Sequence, residues 1–163
     1  MTGVIFTVGN SLMGDDGAGP LLAELLEANP AAGWSVIDGG ATPENVMHCV
    51  RAENPDRVLL IDAADMQLPP GTVCRIEEAD VAKQFLITTH AIPLDILIAS
   101  LRETVPLVTF VGIQPAVVTF YGEMTPSVKA GVEGLHRSLI QETNPDDLPT
   151  VAERHEEKSV TEV

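Results

Sequence analysis

Short β-branched apolar runs recur at residues 4–8, 34–38, 57–61 and 107–113, with helical patterns filling most of the intervals between them. Parallel neighbours cannot be joined by a tight turn, so each connection must cross over the sheet and lay an element on its face. That alternation predicts an α/β fold: a three-layer sandwich on a mostly parallel, twisted sheet, with helices on both faces. One run departs from the pattern. Gly71-Thr72-Val73-Cys74-Arg75-Ile76 is entered through Pro69-Pro70, which suits a short antiparallel or edge strand and makes the sheet mixed.

The helices are read from spacing and caps. A first helix opens near Gly17 to Pro20 and carries Leu21, Leu22, Leu25 and Leu26 toward the sheet, with Glu24 and Glu27 outward. Thr42-Pro43-Glu44 reads as an N-cap followed by proline at the first helical position, starting a second helix at 43. A third opens at Pro93 and repeats Leu94, Leu97, Ile98 and Leu101 at i, i+3, i+4, i+7 spacing. The last runs from about Pro126 to Gln141 with Val128, Val132, Leu135 and Leu139 inward.

At 163 residues and 45% hydrophobic content, one domain with a real core is expected over 1–141. Residues 142–163 carry seven acids and two bases, contain two prolines and few apolar side chains, and are expected to form a loose acidic tail. The whole chain holds 9 basic against 24 acidic side chains, a formal charge of −15. Such a surface repels a phosphate backbone and an anionic membrane, which argues against nucleic acid as a partner. No apolar run approaches the roughly 20 residues of a membrane span and no secretory leader pattern follows Met1, so a cytoplasmic protein without membrane insertion is expected. Cys49 and Cys74 fall in separate elements, which suggests neither a disulfide framework nor a thiolate zinc site.

Strand ends and loops of an open α/β sheet are where its site is built. The first apolar run leads into Gly9-Asn10-Ser11-Leu12-Met13-Gly14-Asp15-Asp16-Gly17-Ala18-Gly19-Pro20. An acid there has an ordinary duty, capping the helix that follows. The glycines evoke a phosphate cradle, but there is no G-x-G-x-x-G or Gly-Lys-Ser/Thr, and two adjacent carboxylates would repel a phosphate. Asp62 follows Arg57-Val58-Leu59-Leu60-Ile61, an apolar run suited to a central strand, and is expected just past the strand's end, as a site residue or a chain-turning aspartate. Asp65 competes for either role. His90, in Thr88-Thr89-His90 before a helix, suits a metal ligand, a base or a backbone hydrogen bond. His48, His136 and His155 are assigned no role. Asp38, before Gly39-Gly40, is a substrate-side residue or a turn. No Asp-Thr/Ser-Gly or G-x-S-x-G signature supports a pepsin-like dyad or a serine elbow.

Taken together, Asp16, Asp62 and His90 would offer two carboxylate oxygens and one imidazole nitrogen, a donor set suited to a divalent transition ion rather than magnesium or calcium. Three ligands leave coordination positions open, for water or for an ion held by a partner.

Five segments in order, Val8 to Pro20, Val36-Ile37-Asp38-Gly39-Gly40, Ile61-Asp62-Ala63-Ala64-Asp65-Met66, Thr88-Thr89-His90 and Gly112-Ile113-Gln114-Pro115, make the chain resemble the nickel-iron hydrogenase maturation endopeptidases over roughly residues 3 to 141. The likeness is greatest to the branch acting on hydrogenase 3 of the formate hydrogenlyase system. The resemblance implies an α/β endopeptidase that removes a C-terminal extension from the hydrogenase large-subunit precursor once nickel is inserted. It implies metal-contacting and catalytic positions at Asp16, Asp62 and His90, with nickel presented by the precursor and no organic cofactor. Some relatives carry glutamate at the first position, so Asp16 points to the hydrogenase 3 branch. Asp38 matches a retained acid, read as substrate-positioning. Two other functions compete: a non-catalytic checkpoint that senses nickel in the precursor, and a self-sufficient metallohydrolase, which the lack of an H-E-x-x-H helix disfavours.

Overall fold

In the computed structural model, residues 2–78, 80 and 94–161 are described. They form β1 (Gly3–Thr7), α1 (Ala18–Ala28), β2 (Trp34–Asp38), α2 (Met47–Ala52), β3 (Arg57–Ala63), β4 (Val73–Ile76), α3 (Leu94–Arg102), β5 (Leu107–Ile113), α4 (Pro126–Ile140) and α5 (Val151–Thr161). The strand order is β2-β1-β3-β5-β4. All neighbours run parallel except β4, which lies at the edge antiparallel to β5.

Side-chain alternation along the strands divides the core into two layers. On one face Val4, Phe6, Val58, Leu60, Val108 and Phe110 meet Met47 and Val50 of α2 and the Leu94, Leu97, Ile98, Leu101 stripe of α3. On the other, Ile5, Leu59, Ile61, Val111 and Ile113 meet Leu22 and Leu26 of α1 and the Val128, Val132, Leu135, Leu139 stripe of α4. β3 is covered from both sides and every residue from Val58 to Ala63 is buried. A strand in that position has no polar face to present, hence its unbroken apolar run. This is the three-layer mixed α/β sandwich expected.

Local departures have local causes. Thr42 makes no side-chain cap; Pro43–Val46 forms a short 3-10 helix before α2 begins at Met47. The segment after Gln141 also differs from the loose tail expected. Asn144 accepts a hydrogen bond from Asp146 N at 3.0 Å and opens a turn at Pro145–Asp147, Thr150 bridges to Arg75, and α5 packs against β4. Pro145, Thr150 and Val151 are buried. Mean composition over the segment hid these few anchors. Val151 and His155 share a helix face at i, i+4 spacing, and the ring Nε2 of His155 lies 2.8 Å from the Met66 carbonyl oxygen, which accepts from it. Among the described residues no helix is long and apolar enough to cross a membrane.

Candidate active site at the carboxyl edge of the sheet

From β1 the chain passes to β2 on one side and returns as β3 on the other, so the strand order reverses between β1 and β3. Connections leave that point in opposite directions and open a crevice beyond the carboxyl ends of the two strands. The loop after β1 is fastened there by its backbone. Val8 N donates to Ile61 O at 2.8 Å and Gly9 N to Gly40 O at 2.9 Å, linking the loop to β3 and to the turn after β2. Gly9 has φ +146°, and a Cβ on it would collide with the carbonyl oxygen of Asp16. Only glycine lets the two stretches of backbone meet.

Asp15 and Asp16, in the Gly14–Gly17 3-10 helix, have different jobs. Neither caps α1. Asp15 is fully buried and its carboxylate accepts from Ala116 N and Val117 N at 2.8 Å each, and from Thr125 N and Thr125 Oγ1 at 2.6 Å each. Burial alone would push its pKa up; the hydrogen bonds from Thr125, Val117 and Ala116 outweigh it and hold the pKa below the usual value. Asp15 therefore ties the 115–125 segment to the first loop. Asp16, only 3% exposed, accepts from Asn10 N at 2.9 Å, and the Gly14–Gly17 helix that carries it packs against β3.

Asp62 lies inside β3, one residue before its end, rather than just past it. It is fully buried and pairs in register with Gly112 of β5. By alternation its side chain shares the face of Val58 and Leu60. Asp38 pairs with Thr7 and so follows Val36 and Ile5 onto the opposite face, where it lines a groove beside Glu24 and Glu27 of α1. Its Oδ1 accepts from Thr7 Oγ1 at 3.1 Å and Gly40 N at 3.0 Å, which closes the turn after β2. Asp65 Oδ1 accepts from Gln67 N at 3.0 Å and Gln114 Nε2 at 3.2 Å, a loop-holding arrangement. His136 Nε2 lies 3.0 Å from Asn29 O.

The fold thus brings the turn bearing Asp16 against the strand bearing Asp62 and sends Asp38 to the other side. His90 lies among residues 81–93, outside the described residues. Among the described residues no group of three or more His, Cys, Asp or Glu is placed to hold a metal ion. Two contributors escaped the sequence reading: Asp15, whose partners are about a hundred positions away, and Gln114, whose buried amide holds the loop after β3. Gln114-Pro115 at the end of the β5 run was the one available signal for the second.

A family profile described as hydrogenase maturation protease matches residues 20–142. The hydrogenase 3 maturation protease of Escherichia coli strain K12 is 50% identical over 139 residues, covering 85% of this chain and 89% of that protein. The solution structure of an Escherichia coli endopeptidase, HycI, superposes with TM-score 0.85 at 46% identity over 93% of this chain and 97% of the other. The crystal structure of a nickel-iron hydrogenase maturation protease from Thermococcus kodakarensis superposes with TM-score 0.71 at 25% identity over 86% and 92%. The sheet order, the crevice at its reversal point and these likenesses agree: the chain belongs to the hydrogenase maturation protease family.

Proposed function

We propose that this chain is an endopeptidase that removes the C-terminal extension of a nickel-iron hydrogenase large-subunit precursor after nickel insertion, and that it recognises nickel held by that precursor. The observation that supports the reading is that the turn bearing buried Asp16 packs against β3, the strand that holds buried Asp62, beside the reversal point of the sheet. With His90 as the third donor, they would contact the precursor's ion and dock the scissile bond beside it. Nickel belongs to the substrate in this scheme, and the precursor is the partner. Hydrolysis adds water across the peptide bond, and that water is polarised by the precursor's nickel or by one of these carboxylates as general base. Asp38, facing the other side of the sheet, is read as positioning the substrate from the α1 groove.

The test is incubation of purified protein with precursor loaded or unloaded with nickel, followed by mass spectrometry of the precursor's C-terminus. Loss of the extension from the loaded form alone is expected. Asp62→Asn, Asp16→Asn and His90→Ala are expected to abolish it while leaving the far-ultraviolet circular dichroism spectrum unchanged. Equal cleavage of both precursor forms would remove nickel recognition from the account. Stable complex formation without any change in precursor mass would replace the protease with a nickel-sensing checkpoint.

A further inference from the structure

Gln114 follows β5 directly, is 6% exposed, and makes four hydrogen bonds through its amide, three of them to the loop that leaves β3. Its Oε1 accepts from Met66 N at 2.6 Å and Leu68 N at 3.3 Å. Its Nε2 donates to Asp65 Oδ1 at 3.2 Å and to Pro115 O at 3.0 Å. Its own backbone closes the same loop, with Gln114 N donating to Thr72 O and Gly71 N to Gln114 O, both at 2.9 Å. A buried amide with four partners is costly to move, because any displacement strands donors away from water.

The clamped loop leads back to Asp62. Met66 is buried, and its sulfur and the Cβ of Ala64 lie against Gly112, at 3.1 and 3.2 Å from where a Cβ would stand. Gly112 is the register partner of Asp62. Partners in a parallel ladder project to the same face, so the Met66 thioether covers the place next to the Asp62 side chain. The Met66 carbonyl is held from outside by His155.

We infer that Gln114 is a positioning residue for the proteolytic reaction: its amide fixes Met66, and Met66 walls the Asp62 carboxylate into its working direction. This rests on the proposed function, in which Asp62 meets the substrate. Misplacement of a reacting group by about 1 Å costs on the order of 100-fold in rate. Substrate contacts elsewhere in the crevice are untouched, so the loss belongs in kcat.

The experiment compares wild type, Gln114→Met and Gln114→Glu with nickel-loaded precursor, measuring kcat and KM alongside amide hydrogen exchange at Met66, Leu68 and Asp62. Gln114→Met keeps the side chain's length and removes its hydrogen bonds; Gln114→Glu keeps an oxygen that can accept from Met66 N and Leu68 N but sets the other against Asp65 Oδ1 and Pro115 O, acceptor against acceptor. For Gln114→Met, we expect lost protection at residues 66 and 68, retained protection at the β3 amide of Asp62, and kcat lowered roughly 10- to 100-fold at a KM within about twofold of wild type. Across all three proteins kcat should track protection at residues 66 and 68, with Gln114→Glu falling between wild type and Gln114→Met in both. Loss of that protection with kcat within about twofold of wild type would overturn the inference, as would a change confined to KM. Failure of the wild type to cleave, or full activity of Asp62→Asn, would instead bring down the proposed function itself.

Discussion

Replacing Asp15 by asparagine removes one acceptor oxygen from a buried carboxylate that serves four donors. The amide oxygen can take the place of Oδ2, which receives Ala116 N, Val117 N and Thr125 Oγ1, but the NH2 group then confronts Thr125 N, donor against donor. One charge-assisted bond worth about 2 kcal/mol is lost, and the other three fall toward the neutral value of about 1 kcal/mol each. The expected destabilisation is roughly 3–5 kcal/mol, a large share of a domain's stability. For a chain of this size it corresponds to a drop in Tm of roughly 10 °C. Urea unfolding followed by circular dichroism at pH 7 measures it.

The same substitution has a pH signature. The folded pKa of Asp15 is held below its ordinary value, so its contribution is complete above the unfolded value, 3.8, and drains away as pH falls from there through the folded one. The stability gap between wild type and Asp15→Asn should therefore narrow below about pH 4 and stay constant above about pH 5. A destabilisation under about 1 kcal/mol at pH 7, or a gap that widens on acidification, would refute the role given to this carboxylate.

Removal of residues 144–163 takes away Asp146, which accepts from Thr109 Oγ1 at 2.9 Å and pairs with Arg57 at 3.4 Å, together with buried Val151 and the His155 contact to Met66. We expect a loss of about 3 kcal/mol or more in urea unfolding; an unchanged transition would show that the acidic segment adds nothing to the fold. The two thiols should separate by reactivity. Burial pushes the Cys74 pKa up to about 11, whereas Cys49 is partly exposed. Iodoacetamide at pH 8 should therefore alkylate Cys49 in the native protein and reach Cys74 only after unfolding. Equal labelling of both by mass spectrometry would contradict that placement.

What could be read from the residues has one cause in common: it repeats along the chain. The β-branched runs of β1, β3 and β5, the α3 stripe from Leu94 to Leu101 and the α4 stripe from Val128 to Leu139 each state their burial by period, and the sheet-with-crossovers follows. The positions of Asp16 and Asp62 were legible for a related reason, since a parallel sheet collects its strand ends on one edge. Even so, Asp62 proved to lie within β3, because pairing with β5 continues two residues beyond the apolar run.

Other assignments depend on partners far away in the chain. Asp15 and Asp16 are chemically identical neighbours, and only contacts with residues 116–125 make one a clamp and leave the other in the turn against β3. Asp38 and Asp62 both follow apolar runs; register with Thr7 sends the first to the α1 face, and register with Gly112 sends the second to the opposite one. The acidic segment looked too polar to pack, yet buried Pro145, Thr150 and Val151, the Asp146 carboxylate and the His155 imidazole anchor it, and α5 packs against β4. Hydrophobic periodicity is local and survives translation into a string of letters. Which of two carboxylates is buried, and beside what, is decided by backbone donors that arrive from elsewhere in the fold.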